Sequence, residues 1–290
     1  MLKTLTLPCV LLVFATPALA DIVEETVEYD LPNGTTAKGV AIYDNDLDDD
    51  EGRPGVLVIP EWWGLTDYPK MRARELAEEG YVTFVADMYG DGKTTEDPSQ
   101  AGQWSGQAGQ FGLDKLAKPA LEQLKNLKGV DDERLAAIGF CFGGSTVVAM
   151  AGSDYGDELK AVVSFHGGLA ANAAPKGTDY SGPAMLILHG GADPMDTPEA
   201  FGGFVQNSLK AGVPLTVVSF PGALHAFSNP DADDLAEANP QMKGVIAYDE
   251  QAAEASIEIM GDFFEMVLDY DDDHYEDHDH EGHDDDEDDD

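Results

Sequence analysis

Cysteine is nearly absent: two residues in 290 exclude a disulfide scaffold. Bases are scarce, with 16 Lys+Arg against 57 Asp+Glu and a formal net charge of −41 at pH 7. Nucleic acid and anionic membrane surfaces require cationic footprints, so neither is expected as a partner. Long apolar runs are missing too. The one near the N-terminus is shorter than the ~20 residues a bilayer span needs. No segment repeats. What is present is a hydrophobic fraction of 43%, enough for a sizeable core. The length suits one large domain or two small ones.

The two ends differ from the middle. Residues 1–20 read as an export signal. Lys3 supplies the positive start, an apolar run extends from near Leu5 to Phe14, and Ala18-Leu19-Ala20 is a small-x-small cleavage site. An uncleaved anchor is the rival, and the short run argues against it. Cys9 precedes most of the apolar run, which makes it a poor site for lipid attachment. Cleavage leaves Asp21 as the mature N-terminus, with a periplasmic or secreted destination. The mature chain then holds 15 bases, 57 acids and the single cysteine Cys141. A lone thiol in an oxidising compartment is either a buried hydrophobe or a reactive group.

Residues 269–290 hold 15 acids, four histidines (His274, His278, His280, His283) and no base. With almost nothing apolar to bury, this stretch is expected to be a disordered acidic tail that keeps the chain solvated. Its mixed imidazole and carboxylate ligands also permit weak divalent-cation binding. Residues 21–268, with 15 bases and 42 acids, remain strongly acidic, as suits an ion-rich environment. The acidic run Asp44–Glu51 lacks the full calcium-loop pattern and reads as an exposed hairpin or connecting loop.

Between the ends, strand and helix signals alternate. Thr26–Leu31 and Thr35–Tyr43 flank Pro32-Asn33-Gly34, a hairpin signal. Short apolar runs follow at Gly55–Ile59, Tyr81–Ala86, Arg134–Phe140, Ala161–Phe165, Ala184–Leu188 and Leu215–Phe220. Continuous apolarity predicts strands buried on both faces of a parallel sheet. Helices are expected from Asp67 to Glu79, from Leu116 to Leu127, and over 197–211 and 250–268. The pattern predicts one doubly wound α/β domain, mostly parallel, with an N-terminal antiparallel hairpin. Residues 90–113, rich in Gly, Gln and Ser, read as a lid or as a long connection.

The chemistry is expected at strand ends. Gly139-Phe140-Cys141-Phe142-Gly143-Gly144 closes one strand and opens a small-residue segment. This is the setting of a nucleophile elbow, with cysteine in place of serine. Its glycines let strand and helix pack closely, and the Phe142 amide is placed to stabilise an oxyanion. The competing reading is a buried core cysteine in a glycine-rich turn. In this topology the acid and the histidine follow the nucleophile in chain order. Asp193 follows the strand ending at Leu188, and His225 follows the strand ending at Phe220. His225 would move the thiol proton while Asp193 holds its tautomer. Asp87 and Asp196 are weaker acids for this role. His166 and His189 read as structural or pocket-lining. Glu61, between Pro60 and the pair Trp62-Trp63, is either a surface acid or a carboxyl with a raised pKa that exchanges a proton with the thiol.

With Glu61-Trp62-Trp63-Gly64, Ala86-Asp87-Met88-Tyr89-Gly90, the cysteine elbow, Gly190-Gly191-Ala192-Asp193 and His225-Ala226-Phe227, the chain resembles the dienelactone hydrolase family of the α/β-hydrolase fold over roughly residues 25–268. The resemblance implies a Cys141–His225–Asp193 triad and a Glu61 that contacts the resting thiol and takes its proton. It also implies an oxyanion hole from the Trp62 and Phe142 amides, and it calls for no cofactor or metal. Holding the resting thiol neutral would protect it from oxidation. Dienelactone-cleaving members carry two arginines for the substrate carboxylate; the corresponding positions here are Asp91 and Asn229, with Lys93 near the first. The expected substrate is therefore a neutral or differently charged ester, lactone or thioester, walled by Trp62, Trp63, Tyr89 and Trp104. The alternative from another class is a non-catalytic binding protein on the same scaffold, with a metal-buffering tail.

Overall fold

The computed structural model describes residues 21–45, 52–170 and 173–268. The stretch expected to be an export signal, the acidic tail and most of the acidic run Asp44–Glu51 lie outside the described residues.

The first two strands, β1 (Ile22–Asp30) and β2 (Thr36–Asp44), form the expected hairpin. Its turn uses Gly34 at φ 88°, and the Asn33 side chain accepts the Thr35 amide at 3.0 Å. That is the positive φ a tight hairpin turn requires. β3 (Arg53–Ile59), α1 (Asp67–Glu78), β4 (Val82–Val85), α2 (Pro98–Phe111), α3 (Leu113–Lys125), β5 (Val130–Phe140) and α4 (Phe142–Ala151) follow. The chain continues through β6 (Ala161–Phe165), β7 (Ala184–Gly190), α5 (Pro198–Ala211), β8 (Leu215–Phe220), α6 (Ala232–Ala238) and α7 (Glu250–Leu268).

The eight strands form one sheet in the order β1-β2-β4-β3-β5-β6-β7-β8. β2 pairs antiparallel with β1 and β4, and the remaining pairs are parallel. β3, β4, β5, β6 and β7 are buried along most of their length, as their unbroken apolar runs predict, but β8, expected to be buried likewise, ends the sheet and has no fully buried residue. Helices cover both faces. Leu76, Met260, Phe263 and Phe264 bring α1 and α7 against one face. Leu116, Leu121, Leu124, Val147 and Met150 bring α3 and α4 against the other, where Phe204 of α5 also packs. Leu116, Leu121 and Leu124 are each at most 1% exposed. Full burial of such a side chain contributes about 1.5–3 kcal/mol.

Two helices carry no helical signal in the sequence. In α2, Asp97 caps the first turn by accepting the Ser99 amide at 2.9 Å, and Pro98 occupies the first turn. Only Ala101 and Ala108 of its 14 residues are buried, so the segment has no apolar stripe to read. The short α6 likewise buries two alanines, Ala232 and Ala236.

Loop shape near the sheet's C-terminal edge depends on Asp87. Its carboxylate is 1% exposed. It accepts the backbone amides of Lys38, Tyr89, Gly90 and Gly92 at 2.9, 3.0, 2.8 and 2.7 Å. Four charge-assisted bonds on one buried carboxylate hold the chain after β4 in place. That chain carries Tyr89.

Candidate active site

A single residue joins β5 to α4. Cys141 stands there at φ 55° and ψ −114°. A non-glycine residue keeps a positive φ only where its surroundings over-determine it. Here the Cys141 amide donates to the Phe165 carbonyl at 3.0 Å and to His166 Nδ1 at 3.1 Å, and its carbonyl accepts the Ser145 amide at 3.2 Å. A Cβ at Gly139 would fall on the Gly143 carbonyl, and one at Gly143 would fall on the Ile59 carbonyl. The close strand–helix approach therefore depends on glycine at both positions. Cys141 is half-buried at the N-terminus of α4.

Asp193 and His225 follow β7 and β8, and the fold brings them together. Asp193 Oδ2 accepts His225 Nδ1–H at 2.7 Å, and Oδ1 accepts the Met195 amide at 2.8 Å. The carboxylate is fixed at both oxygens. The histidine backbone is pinned in turn: its amide donates to the Val245 carbonyl at 3.1 Å and its carbonyl accepts the Ala247 amide at 3.2 Å. Among the described residues, no group meets hydrogen-bond geometry at the buried His225 Nε2, although the Cys141 sulfur is near enough to act on it. His225 shares with Cys141 a cavity of about 10 Å³, also lined by Glu61, Trp62, Trp63 and Met195. That is about the room of one water. Burial works against charge on His225, but the Cys141 sulfur and the Asp193 carboxylate outweigh it and hold its pKa well above the ordinary histidine value.

Glu61 is 1% exposed and follows the buried β3. Burial pushes its carboxyl up to about 7, against the pull of His225 and of the Asn229 hydrogen bond. That bond, Asn229 Nδ2 to Glu61 Oε2 at 2.7 Å, is its hydrogen bond in this structure. Glu61 and Cys141 line the same small cavity, but no hydrogen bond joins them. At one of the two positions where the resemblance implies an arginine, Asn229 instead bonds Glu61. At the other such place, Asp91 is exposed, with Lys93 Nζ 3.9 Å away.

The remaining site residues surround this cluster. Among the described residues, the Trp62 and Phe142 amides engage no protein acceptor, so both stay available. The Tyr89 hydroxyl donates to the Trp62 carbonyl at 3.1 Å, which ties the anchored Asp87 loop to the Trp62 loop. The Tyr89 ring lies 5.5 Å from Trp104 and 5.8 Å from Phe142, centroid to centroid. Tyr89 and Trp104 also line a separate cavity of about 350 Å³. Trp63 packs edge-on against Trp62 and is 3% exposed, so it supports the wall more than it presents a surface. A larger cleft of about 760 Å³ reaches Glu61 and Asn229; Asp67, Glu96, Asp231 and Asp234 line it, with Lys70.

The alternative acids are occupied elsewhere. Asp87 holds its four amides. Asp196 accepts the Leu169 amide at 3.1 and 3.2 Å and lies 3.9 Å from His189 Nδ1. His189 stacks on Phe201, with centroids 4.0 Å apart. His166 is fully buried directly behind Cys141. Among the described residues, no cluster of three or more His, Cys, Asp or Glu side chains is arranged to hold a metal.

A sheet of this order, with its elbow after β5 and its acid and histidine after β7 and β8, defines an α/β-hydrolase. Residues 46–268 match the dienelactone hydrolase family, and the chain belongs to that family of hydrolases. It is 30% identical over 191 residues to Protein usf of Aquifex pyrophilus, covering 63% of this chain and 80% of that one. An Aquifex aeolicus protein provisionally named carboxymethylenebutenolidase is 27% identical over 189 residues, with the same coverage. Among solved structures, it resembles P91, described as a dienelactone hydrolase-like promiscuous phosphotriesterase from metagenomic libraries. The TM-score is 0.75 at 31% identity, covering 85% of this chain and 99% of that one.

Proposed function

We propose that the chain is an exported hydrolase of small esters, lactones or thioesters. In this reading Cys141 is the nucleophile, His225 the general base and acid, and Asp193 the orienting acid. Glu61 acts as an auxiliary proton acceptor. The observation that carries the reading is the strained Cys141 turn beside a His225 whose other nitrogen is held by Asp193 at 2.7 Å.

The steps balance without a cofactor. His225 takes the thiol proton, and the sulfur adds to the substrate carbonyl. The Trp62 and Phe142 amides receive the oxyanion. Collapse breaks the bond to the leaving oxygen or sulfur, which receives the proton from His225, and leaves a thioester on Cys141. Water then adds to that thioester while His225 accepts its proton. Breakdown releases the carboxylic acid and returns the proton to sulfur.

The charge around the site bears on substrate class. The cleft at Glu61 has four further carboxylates and one lysine, and Asn229 faces Glu61. Anionic substrates would meet repulsion there, so neutral or cationic acyl compounds are the expected class. Tyr89 and Trp104 would hold the apolar part of the substrate, with Trp62 forming the wall above the cavity that contains Cys141. The proposed destination, the periplasm or beyond, rests on residues 1–20. The acidic tail is proposed as a solubilising segment with weak divalent-cation affinity.

The likeness to P91 favours a second substrate class, phosphotriesters, attacked at phosphorus by the same sulfur. Both classes are tested by intact-mass spectrometry of the reduced protein after mixing with activated esters, lactones, thioesters and a phosphotriester. An acyl or phosphoryl adduct on Cys141, absent from Cys141→Ala, is expected, and its mass names the class. In turnover assays Cys141→Ala should lose about 10⁴-fold or more. Unchanged turnover in that variant would overturn the assignment. A folded, reduced protein that forms no adduct with any of the panel would favour a binding protein on this scaffold.

A further inference from the structure

Behind the nucleophile lies a chain of buried polar groups that the proposed chemistry does not use. His166 follows β6 at φ 39°, a second strained non-glycine residue, and is fully buried. Its Nδ1 accepts the Cys141 amide at 3.1 Å. An amide N–H can only donate, so Nδ1 holds a lone pair and the ring proton sits on Nε2. Nε2 lies 2.8 Å from Ser228 Oγ, which therefore accepts from it. Ser228 Oγ is in turn 2.7 Å from the Tyr68 hydroxyl of α1. Arg72 of the same helix donates to the Ser228 carbonyl at 3.1 Å and lies over the Tyr68 ring. Ser228 is fully buried and three residues beyond His225. The ring of His166 also meets that of His225 edge-on, with centroids 5.2 Å apart.

We propose that His166 is a positioning residue that couples the Cys141 turn to the loop carrying His225, with Ser228 as its contact on that loop and Tyr68 and Arg72 as the anchor on α1. The inference rests on the reading of Cys141 and His225 as the reacting pair. One neutral imidazole touches the nucleophile's own amide at one nitrogen and the base's loop at the other. The two reacting groups come from strand ends far apart in sequence, and this is a direct polar link between their loops. Packing alone would fill the space equally well with an apolar ring. Burial and the neighbouring His225 both lower the His166 pKa, which keeps the required tautomer neutral.

The first test is spectroscopic and needs no substrate. In the full chain labelled with ¹⁵N-histidine, His166, identified by the resonance lost in His166→Phe, should show a non-protonated Nδ1 and an Nε2–H that persist below the ordinary histidine pKa of about 6.5. A protonated Nδ1, or titration in the ordinary range, would overturn the proposal. The second test is a double-mutant cycle. Ser228→Ala and His166→Phe, each shown to fold by its melting transition, should lower kcat by about 10- to 100-fold with KM little changed. The double variant should lose no more than either single one, because both break one link. The His225 resonance should also titrate lower in each, as its alignment with Cys141 loosens. Ser228→Thr, which keeps the hydroxyl, should restore kcat. Additive losses, or folded variants with wild-type kcat and an unmoved His225 titration, would reduce His166 to a packing residue. Failure of every ester in the wild-type assay leaves the histidine spectra to decide between the two readings.

Discussion

α4 and α2 both border the site and both are rich in glycine, yet glycine has opposite meanings in them. In α4, seven of ten residues are buried, and Gly143 lies where a Cβ would fall on the end of β3. In α2, the only buried residues are Ala101 and Ala108, and added Cβ atoms at Gly106 and Gly109 would meet nothing within 4 Å. The first helix uses glycine to bring the Cys141 turn against the strand that leads to Glu61. The second carries glycines that packing does not demand, and each weakens it by about 1 kcal/mol relative to alanine. One wall of the site is over-determined. The wall carrying Trp104 is held by its cap, two buried alanines and the contact of Trp104 with Tyr89.

The hardest blow to this comparison is Gly143→Ala. Its Cβ has no free direction, because the obstructing atoms are the Ile59 and Pro60 carbonyls rather than a flexible side chain. A loss of more than about 3 kcal/mol, or failure to fold, is expected in a urea melt. A melt within 1 kcal/mol of wild type, on the order of an ordinary surface change, would show that the close packing is dispensable.

Glu61→Gln tests the same tight wall by pH. The carboxyl is raised from 4.5 to about 7 in the folded state. Below 4.5 both folded and unfolded chains hold the proton, so Glu61 has no effect there. Between 4.5 and 7 the unfolded chain releases it while the folded one keeps it, and a destabilisation accumulates with rising pH. Glu61→Gln should therefore gain stability over wild type as pH rises through that window, by up to about 3 kcal/mol. Should Glu61 also accept the thiol proton, kcat/KM of the wild type will rise through a midpoint about 7, and that limb will vanish in Glu61→Gln. Parallel stability curves for the two proteins would refute the buried, proton-holding carboxyl.

The gentlest change sharpens the other side. Gly106→Ala and Gly109→Ala should each stabilise α2 by about 1 kcal/mol, read as slower amide exchange over residues 98–111. A destabilised helix would mean that the open space around these glycines is used by something else.

The framework of the site was legible because it depends on local patterns. Gly139-Phe140-Cys141-Phe142-Gly143-Gly144 marks a strand–turn–helix in itself, and Asp193 and His225 each follow a recognisable apolar strand. What connects distant loops was not legible. Glu61 and Asn229 are 168 positions apart, and His166 and Ser228 are 62 apart. Side chains at such separations meet only because the sheet order brings β3, β6 and the chain after β8 to one edge. Asp87 read as a spare acid because its four amide partners are backbone groups, which carry no sequence signal. α2 escaped notice for a related reason: helices are read from apolar periodicity, and it has almost none.

The hairpin that opens the fold also ends the sheet. Among the described residues β1 pairs with β2 alone, so within them its outer backbone groups have no strand partner. Along that strand Glu25, Glu28 and Asp30 stand exposed, while Arg74 offsets Glu24. A second copy approaching edge to edge would set these carboxylates against their counterparts. At neutral pH the border of the sheet repels its own likeness, and the pairing rule that builds the interior ends at one rim of negative charge.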